Sequence, residues 1–423
     1  MKGFFTKEQT QSITRPDGKT YSCASCGIYR NSNTPKMKAY GKFKRHILNI
    51  GTAPESVDDQ VGKPFQGEAG RLIGQELEQL GVNLFEDCLN TNAVNCLPIG
   101  EEGVSRPPTG YEISCCRRSV DTLINDRGPC VIILYGAAAI RSVLGTRWIK
   151  ERDLNNVDLW RGFIIPDRTY NAWVCPVFDP AFLLEKDGHP EMMAIWRQDL
   201  KRAIDMEGVP LPKVEDERKQ IIVTDDVEGV LTKIVEDCQG ATQKHLIAFD
   251  IETSGLKPYD RRVHQIACIS FCYEKGKAYC IPGPKNKHER ALLRKVLSNP
   301  EIGKIAANMK FEDTWMKVLT HINVQSWAWD TMQAAHVLDN RPGITGLKFQ
   351  SFVQFGLVGY ESNINAYLKG PDSNTPNRIS EVLDSATLRR ELMVYCGIDS
   401  LMTYQLALLQ MKQIGGDNKW QIN

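Results

Sequence analysis

Four acids and a tyrosine in the second half of the chain, Asp250, Glu252, Glu312, Asp399 and Tyr395, stand in local patterns that bring polar groups onto one face of a strand or helix. The segment Ile247-Ala248-Phe249-Asp250-Ile251-Glu252 sets two acids into an otherwise apolar run. In an extended strand an i, i+2 pair shares one face, so both carboxylates stand together while Phe249 and Ile251 pack the other face. Two like charges side by side in a strand are costly to bury unless cations share them. Asn308-Met309-Lys310-Phe311-Glu312-Asp313 follows a strand-like Lys304 to Ala307, with Asn308 placed to cap a helix. That helix offers Glu312, or its neighbour Asp313, as a further acid. Tyr395 and Asp399 lie four apart in a helical pattern, hence on one face. Hard cations such as Mg²⁺ or Mn²⁺ prefer carboxylate oxygens. Two of them about 3.5–4 Å apart clamp the attacking and leaving oxygens of an in-line phosphoryl displacement.

The first half offers softer ligands. Cys23-Ala24-Ser25-Cys26 is a CxxC, followed by Cys96 and the adjacent Cys115-Cys116. The chain has 13 cysteines, an odd number that argues against a disulfide framework and for a metal or cluster. A CxxC alone suits zinc, redox chemistry or neither. The stretch from Lys36 to His46 is basic with interleaved aromatics, a composition suited to phosphate contact and base stacking. Lys257, Arg261 and Arg262, just past the first acid pair, suit a substrate strand on the same logic.

These residues need rigid elements to position them. With 423 residues the chain is long enough for two or three cores, and 42% hydrophobic with 24% charged residues is an ordinary globular composition. Lys+Arg 52 against Asp+Glu 51 excludes a strongly basic, histone-like protein. The longest apolar run, Val131 to Ile140, is too short to cross a bilayer, and the N-terminus has no signal-like apolar region, so a soluble, non-exported protein is expected. Strand-like stretches alternate with amphipathic ones throughout. Examples are strands at Ile47 to Gly51, Val131 to Tyr135, Leu246 to Ile251, Gln265 to Cys272 and Lys277 to Ile281. Helices are expected at Gly70 to Leu80, Ala137 to Leu144, Val227 to Cys238, Glu289 to Leu297 and Thr387 to Met411. Both halves therefore read as α/β layers. Two prolines, a glycine and a charge run mark 206–220 as a linker between domains at 1–205 and 221–423.

Acid-x-acid on a strand, an acid after Asn308, and Tyr395 with Asp399 together resemble the three motifs of DEDDy-type 3′–5′ exonucleases, most closely the proofreading domain of A-family DNA polymerases. Asp330-Thr331-Met332 and Gly346-Leu347-Lys348 are similar to that family too, over about residues 220 to 412. The resemblance implies a ribonuclease H-like (DnaQ-like) domain with a mixed sheet. It also implies two Mg²⁺ or Mn²⁺ ions on Asp250, Glu252 and Asp399, with Tyr395 positioning the attacking water and Asn308 near the substrate. The family has aspartate where this chain has Glu312, which leaves Glu312, the preferred position, and Asp313 both open.

In the first half, Gly51-Thr52-Ala53-Pro54, the run Gly62 to Gly70, and Thr91-Asn92-Ala93-Val94-Asn95-Cys96 resemble the iron–sulfur uracil-DNA glycosylases called family 4, over about residues 20 to 205. That resemblance implies a glycosylase-like α/β domain. It also implies a [4Fe–4S] cluster on Cys23, Cys26, Cys96 and Cys116 (Cys115 the alternate), with zinc a lesser competitor. Phe65 and Asn92 then stand where a flipped uracil is stacked and read. Two positions depart from the family. Thr52 replaces an acid, and Asp179-Pro180 replaces His-Pro, removing the histidine that would stabilise the uracil oxyanion. Glu55 and Asp58 are nearby acids, and His189-Pro190 reads as a loop. Base excision is therefore not expected. Both modules together are similar to the N-terminal part of some bacteriophage DNA polymerases. The expectation is a cytoplasmic phage replication protein (in the host cell) that acts on DNA 3′ ends, the alternatives being a bifunctional uracil-DNA glycosylase/exonuclease repair enzyme and a non-catalytic polymerase accessory subunit. No palm or fingers segment follows, so a separately encoded DNA polymerase is the expected partner.

Overall fold

The computed structural model describes residues 13–14, 20–100, 103–148, 150–185, 189–238, 245–360 and 363–415. Two compact units divide between Pro212 and Lys213, with the short segment Val353–Gly356 counted with the first.

The first unit is built on a five-stranded sheet: β1 (Ile47–Gly51), β2 (Cys88–Asn92), β3 (Val131–Tyr135), β4 (Ile165–Asp167) and β5 (Ala172–Val177), in the order β2-β1-β3-β5-β4. All neighbours run parallel except the β4–β5 pair. A parallel strand covered on both faces reads as a continuous apolar run, and β3 (Val-Ile-Ile-Leu-Tyr) is buried along its whole length. The short helix α1 (Cys23–Cys26) precedes the sheet in sequence. Helices α2 (Glu68–Gln79), α3 (Gly110–Arg127), α4 (Gly136–Leu144) and α5 (Pro190–Ile204) follow in order. Thr109 caps α3 in a capping box with Glu112, and Gly128 ends it in the left-handed region.

The second unit has a mixed six-stranded sheet. Its strands are β6 (Ile221–Val223), β7 (His245–Thr253), β8 (Ile266–Glu274), β9 (Lys277–Pro282), β10 (Ile302–Ala306) and β11 (Trp327–Asp330), in the order β11-β10-β7-β8-β9-β6. The hairpin partners β7–β8–β9 are antiparallel; β6, β10 and β11 pair in parallel. One sheet face packs Phe249, Ile251, Ile269 and Phe271 against α6 (Val227–Cys238) and α7 (Lys287–Leu297). Helix α8 (Met309–Trp315) follows β10, and α9 (Thr331–Leu338) follows β11. The 29-residue α10 (Ala386–Ile414) lies on the other face of the sheet. It is the one helix among the described residues long and apolar enough to cross a membrane, a possibility that the length of the Val131 to Ile140 run alone does not show. Most of it is buried inside the unit. Gly397 is what lets it come so close. A Cβ there would meet Ile221 Cγ2 at 2.3 Å.

Candidate functional sites

The second unit gathers its acids where the sheet meets α10. Ser270 on β8 is registered opposite Asp250, and Cys268 opposite Glu252, so both acids point to the α10 side. Asp399 comes down from the helix, and oxygens of Asp250, Glu252 and Asp399 all lie within 4.8 Å of one another. Burial and the neighbouring carboxylates push the Asp250 carboxyl well above its usual range. Glu252 is raised to about 8 by burial, with the Asp399 charge adding and the Lys348 ammonium opposing. Like charges at this spacing hold their protons unless a cation compensates.

Glu312 joins them from α8. It is 3% exposed, and burial drives its carboxyl well up, with Asp330 and Glu252 adding. Its Oε2 has no hydrogen-bond partner, a costly state that a bound cation or water relieves. Asp313, one residue on, lies at an intermediate depth on the same short helix. The donor set (three clustered carboxylates, a fourth with an orphaned oxygen) fits divalent metal ions. Tyr395 shares the α10 face with Asp399. Its phenol is nearly buried and kept firmly protonated, first by burial and then by the surrounding carboxylates.

Tyr360 lies outside every segment that the sequence marks, whereas Lys348 and Asp330 come from two of them. Tyr360 donates its phenol to Asp399 Oδ1 at 2.6 Å and packs on Tyr395 with ring centres 5.7 Å apart. Lys348 sits 4.8 Å over the Tyr395 ring. Asp330 accepts the main-chain N–H groups of both Asn308 and Met309 and so fixes the start of α8. This corrects the expected role of Asn308. It is the N-cap residue, but in the left-handed region (φ 79°) and with no capping bond from its side chain. The outer cations each have a neighbour on the surface. Arg262 pairs with Asp260, Lys257 donates to Asn374, and Arg261 meets His321.

The first unit holds a cavity of about 660 Å³ lined by Thr52, Phe65, Asn92, Tyr135 and Asp179 among others. Phe65 is buried with φ +65°, a strained conformation for a bulky residue that is characteristic of functional sites. Asn92 is buried with Nδ2 unpartnered. Gly51 is required beside them, since a Cβ would come within 2.5 Å of Asn92 Oδ1 and 3.2 Å of Phe65 Cζ. Thr52 donates to Asp179 Oδ2 at 2.6 Å, tying together the two positions that depart from the glycosylase pattern. Burial raises the Asp179 carboxyl, partly offset by that bond. Glu55 and Asp58, the acids nearest the missing one, line the same cavity. Asp58 accepts the N–H groups of Glu55, Gln66 and Gly67, and Glu55 accepts from Ala69. His189 is exposed at the start of α5, beside Glu191.

Five cysteines of the first unit, Cys23, Cys26, Cys96, Cys115 and Cys116, lie in one neighbourhood. Cys116 is buried within electrostatic reach of Cys23, Cys26 and Cys96, and Cys115 within reach of Cys23 and Cys26. Burial raises the thiols of Cys23, Cys26, Cys96 and Cys116, Cys96 to about 11 and Cys26 to about 12, and the Lys36 N–H points at Cys96 Sγ at 3.2 Å. Thiols from three segments within electrostatic reach of one another are a donor set of the type that suits a metal cluster. The basic stretch beside them is more committed than its composition suggests. Lys42 and Lys44 both pair with Glu86, and Arg45 with Glu207.

Comparison with known proteins agrees with this geometry. Residues 38–201 match the family model for the uracil DNA glycosylase superfamily, and residues 221–413 the model for a 3′–5′ exonuclease. The chain joins a glycosylase-superfamily domain to a 3′–5′ exonuclease domain. A type-4 uracil-DNA glycosylase of Thermotoga maritima is 27% identical over 201 residues, covering 47% of this chain and 95% of that protein. A DNA polymerase of Bacillus phage SP01 is 22% identical over 92% of this chain, which spans only 42% of that polymerase. Escherichia coli RNase D is similar in structure at 18% identity and a TM-score of 0.32, covering 46% of each chain. The exonuclease domain thus carries the clustered acids, and the glycosylase-like domain carries the cavity and the cysteines.

Proposed function

We propose that the chain is a divalent-metal-dependent 3′–5′ exodeoxyribonuclease of the proofreading kind, acting in phage DNA replication in the host cytoplasm. The observation that carries this reading is the meeting of Asp250, Glu252 and Asp399 within 4.8 Å, with the orphaned Glu312 Oε2 beside them. In this reading Asp250, Glu252 and Asp399 hold two Mg²⁺ or Mn²⁺ ions. Bound metal supplies Lewis-acid stabilisation of the in-line displacement and lowers the pKa of an attacking water. Glu312, not Asp313, completes the set through a ligand water. The Tyr395 hydroxyl orients the water against the scissile phosphate, and the Tyr360 phenol holds Asp399 in place. Asn308 and the start of α8 border the terminal nucleotide.

The glycosylase-like domain grips DNA without excising bases. Cys23, Cys26, Cys96 and Cys116 hold a [4Fe–4S] cluster that staples its N-terminal segment. Phe65 and Asn92 offer a stacking face and a donor to a base. Thr52 and Asp179, bonded to each other, offer neither the activating acid nor the oxyanion donor that excision needs. The test is digestion of matched 5′-labelled DNA and RNA oligonucleotides with Mg²⁺. The wild type is expected to shorten DNA from the 3′ end and Asp250→Ala to leave it intact. Digestion by Asp250→Ala at the wild-type rate overturns the assignment, and a preference for RNA overturns the deoxyribonuclease reading.

A further inference from the structure

Directly beneath the acid cluster, three cysteines from three elements converge: Cys268 on β8, Cys280 on β9 and Cys396 on α10. Their Sγ atoms all lie within 4.8 Å of one another, and each residue is at most 1% exposed. Cys268 and Cys280 share a sheet face because Ser270 is registered opposite Cys280 across the β8–β9 ladder. Cys396 closes the triangle from above, 3.3 Å from Ser270 Oγ. Its Sγ is also 3.6 Å from both the main-chain oxygen and Oδ2 of Asp250.

Buried free cysteines ordinarily serve as small apolar side chains. Cys272 on β8 fits that role, with its Sγ turned to the Glu274 main-chain oxygen. The triad differs because three sulfurs aim at one point and a carboxylate stands at its open corner. A thiophilic d¹⁰ cation with metal–sulfur bonds of about 2.3 Å needs sulfurs about 3.8 Å apart in a tetrahedron. Drawing in by about 1 Å at most meets that requirement. Carboxylate clusters select hard cations and thiolates soft ones, so the two neighbouring sites sort metals by ligand type.

We propose that Cys268, Cys280 and Cys396 form a site for a soft divalent cation of the Zn²⁺ and Cd²⁺ class, with Asp250 as the fourth ligand. Binding displaces to solvent the three thiol protons and the proton that the Asp250 carboxyl carries in the metal-free cluster, and moves no electrons. Because Asp250 belongs to both sites, occupancy withdraws it from the acid cluster and inhibits the nuclease. That last consequence rests on the exonuclease reading, whereas the binding itself does not.

The test is titration of the full-length chain, its N-terminal cluster loaded, with Cd²⁺ alone, followed by the ultraviolet cadmium–thiolate band. The wild type is expected to bind one equivalent more than Cys280→Ala. X-ray absorption of that extra equivalent is expected to show three sulfur neighbours and an oxygen. With Mg²⁺ present, inhibiting Cys280→Ala is expected to need at least tenfold more Cd²⁺ than the wild type. Equal stoichiometry and equal bands in the two proteins overturn the proposal. Should Cys280→Ala not fold, absorption spectroscopy of the wild type decides alone, and a shell of oxygen and nitrogen only overturns the site. Three-sulfur binding in a chain without nuclease activity upholds the site and removes the exonuclease reading instead.

Discussion

Glu252 makes the metal-free protein sensitive to alkali, and its removal should show how strongly. In the folded chain its carboxyl is raised from 4.5 to about 8, chiefly by burial and then by Asp399. Between those values the unfolded chain has released the proton and the folded chain has kept it. Stability is therefore full below pH 4.5 and falls as pH rises toward 8. The slope is about 1.4 kcal/mol per pH unit, and the loss by pH 8 is on the order of 4 kcal/mol. Asp250 and Glu312 shift in the same direction and add to the slope. Glu252→Gln keeps the shape and removes the titrating group. In EDTA at pH 8 the variant should be the more stable protein by a few kcal/mol, although it loses nuclease activity. At pH 4.5 the difference should vanish. Urea unfolding read by amide exchange in β7 and α10 isolates the second unit. Saturating Mg²⁺ should restore the wild type at pH 8 and do little for the variant. Coincident unfolding midpoints from pH 4.5 to 8, or a wild type that gains stability as pH rises, would refute the reasoning.

Other perturbations separate the remaining roles. Tyr360→Phe deletes one hydrogen bond to a carboxylate, about 1.5–3 kcal/mol, and should slow 3′-end digestion roughly 10- to 100-fold without shifting the unfolding transition of the first unit. Glu312→Gln should cost about 10- to 100-fold in rate at limiting Mg²⁺, whereas Asp313→Asn stays near wild type; the reverse order would move the fourth acid to Asp313. Cys116→Ala should abolish the brown colour of anaerobic preparations, while Cys115→Ala keeps it. Bound zinc in place of iron in the wild type would contradict the cluster.

Much of the acid site is legible in the sequence because its geometry is local. Period-two spacing puts Asp250 and Glu252 on one strand face, and i, i+4 spacing puts Tyr395 and Asp399 on one helix face. The strands and helices that carry them form where periodicity places them, within a few residues at their ends. What stays hidden depends on contacts between distant segments. Tyr360 reaches Asp399 from a loop 39 residues away, and no pattern marks it. Asn308 looks like a cap by residue type, but Asp330, brought alongside by the parallel β10–β11 pairing, takes the N–H groups instead. The Thr52–Asp179 bond joins residues 127 apart that composition shows only as two substitutions. The thiol triad, at positions 268, 280 and 396, has no motif spacing and exists only through the β8–β9 register and the seating of α10.

The central claim, a DNA exonuclease joined to a glycosylase-like domain that does not excise, is tested most directly with one 5′-labelled oligonucleotide carrying a single internal uracil. It is incubated with the chain in Mg²⁺ or in EDTA, and half of each reaction is treated with hot alkali. A Mg²⁺-dependent ladder shortening from the 3′ end, with no alkali-dependent break in EDTA, is the predicted result. An alkali-dependent break at uracil in EDTA would contradict it, showing that Thr52 and Asp179 support excision after all.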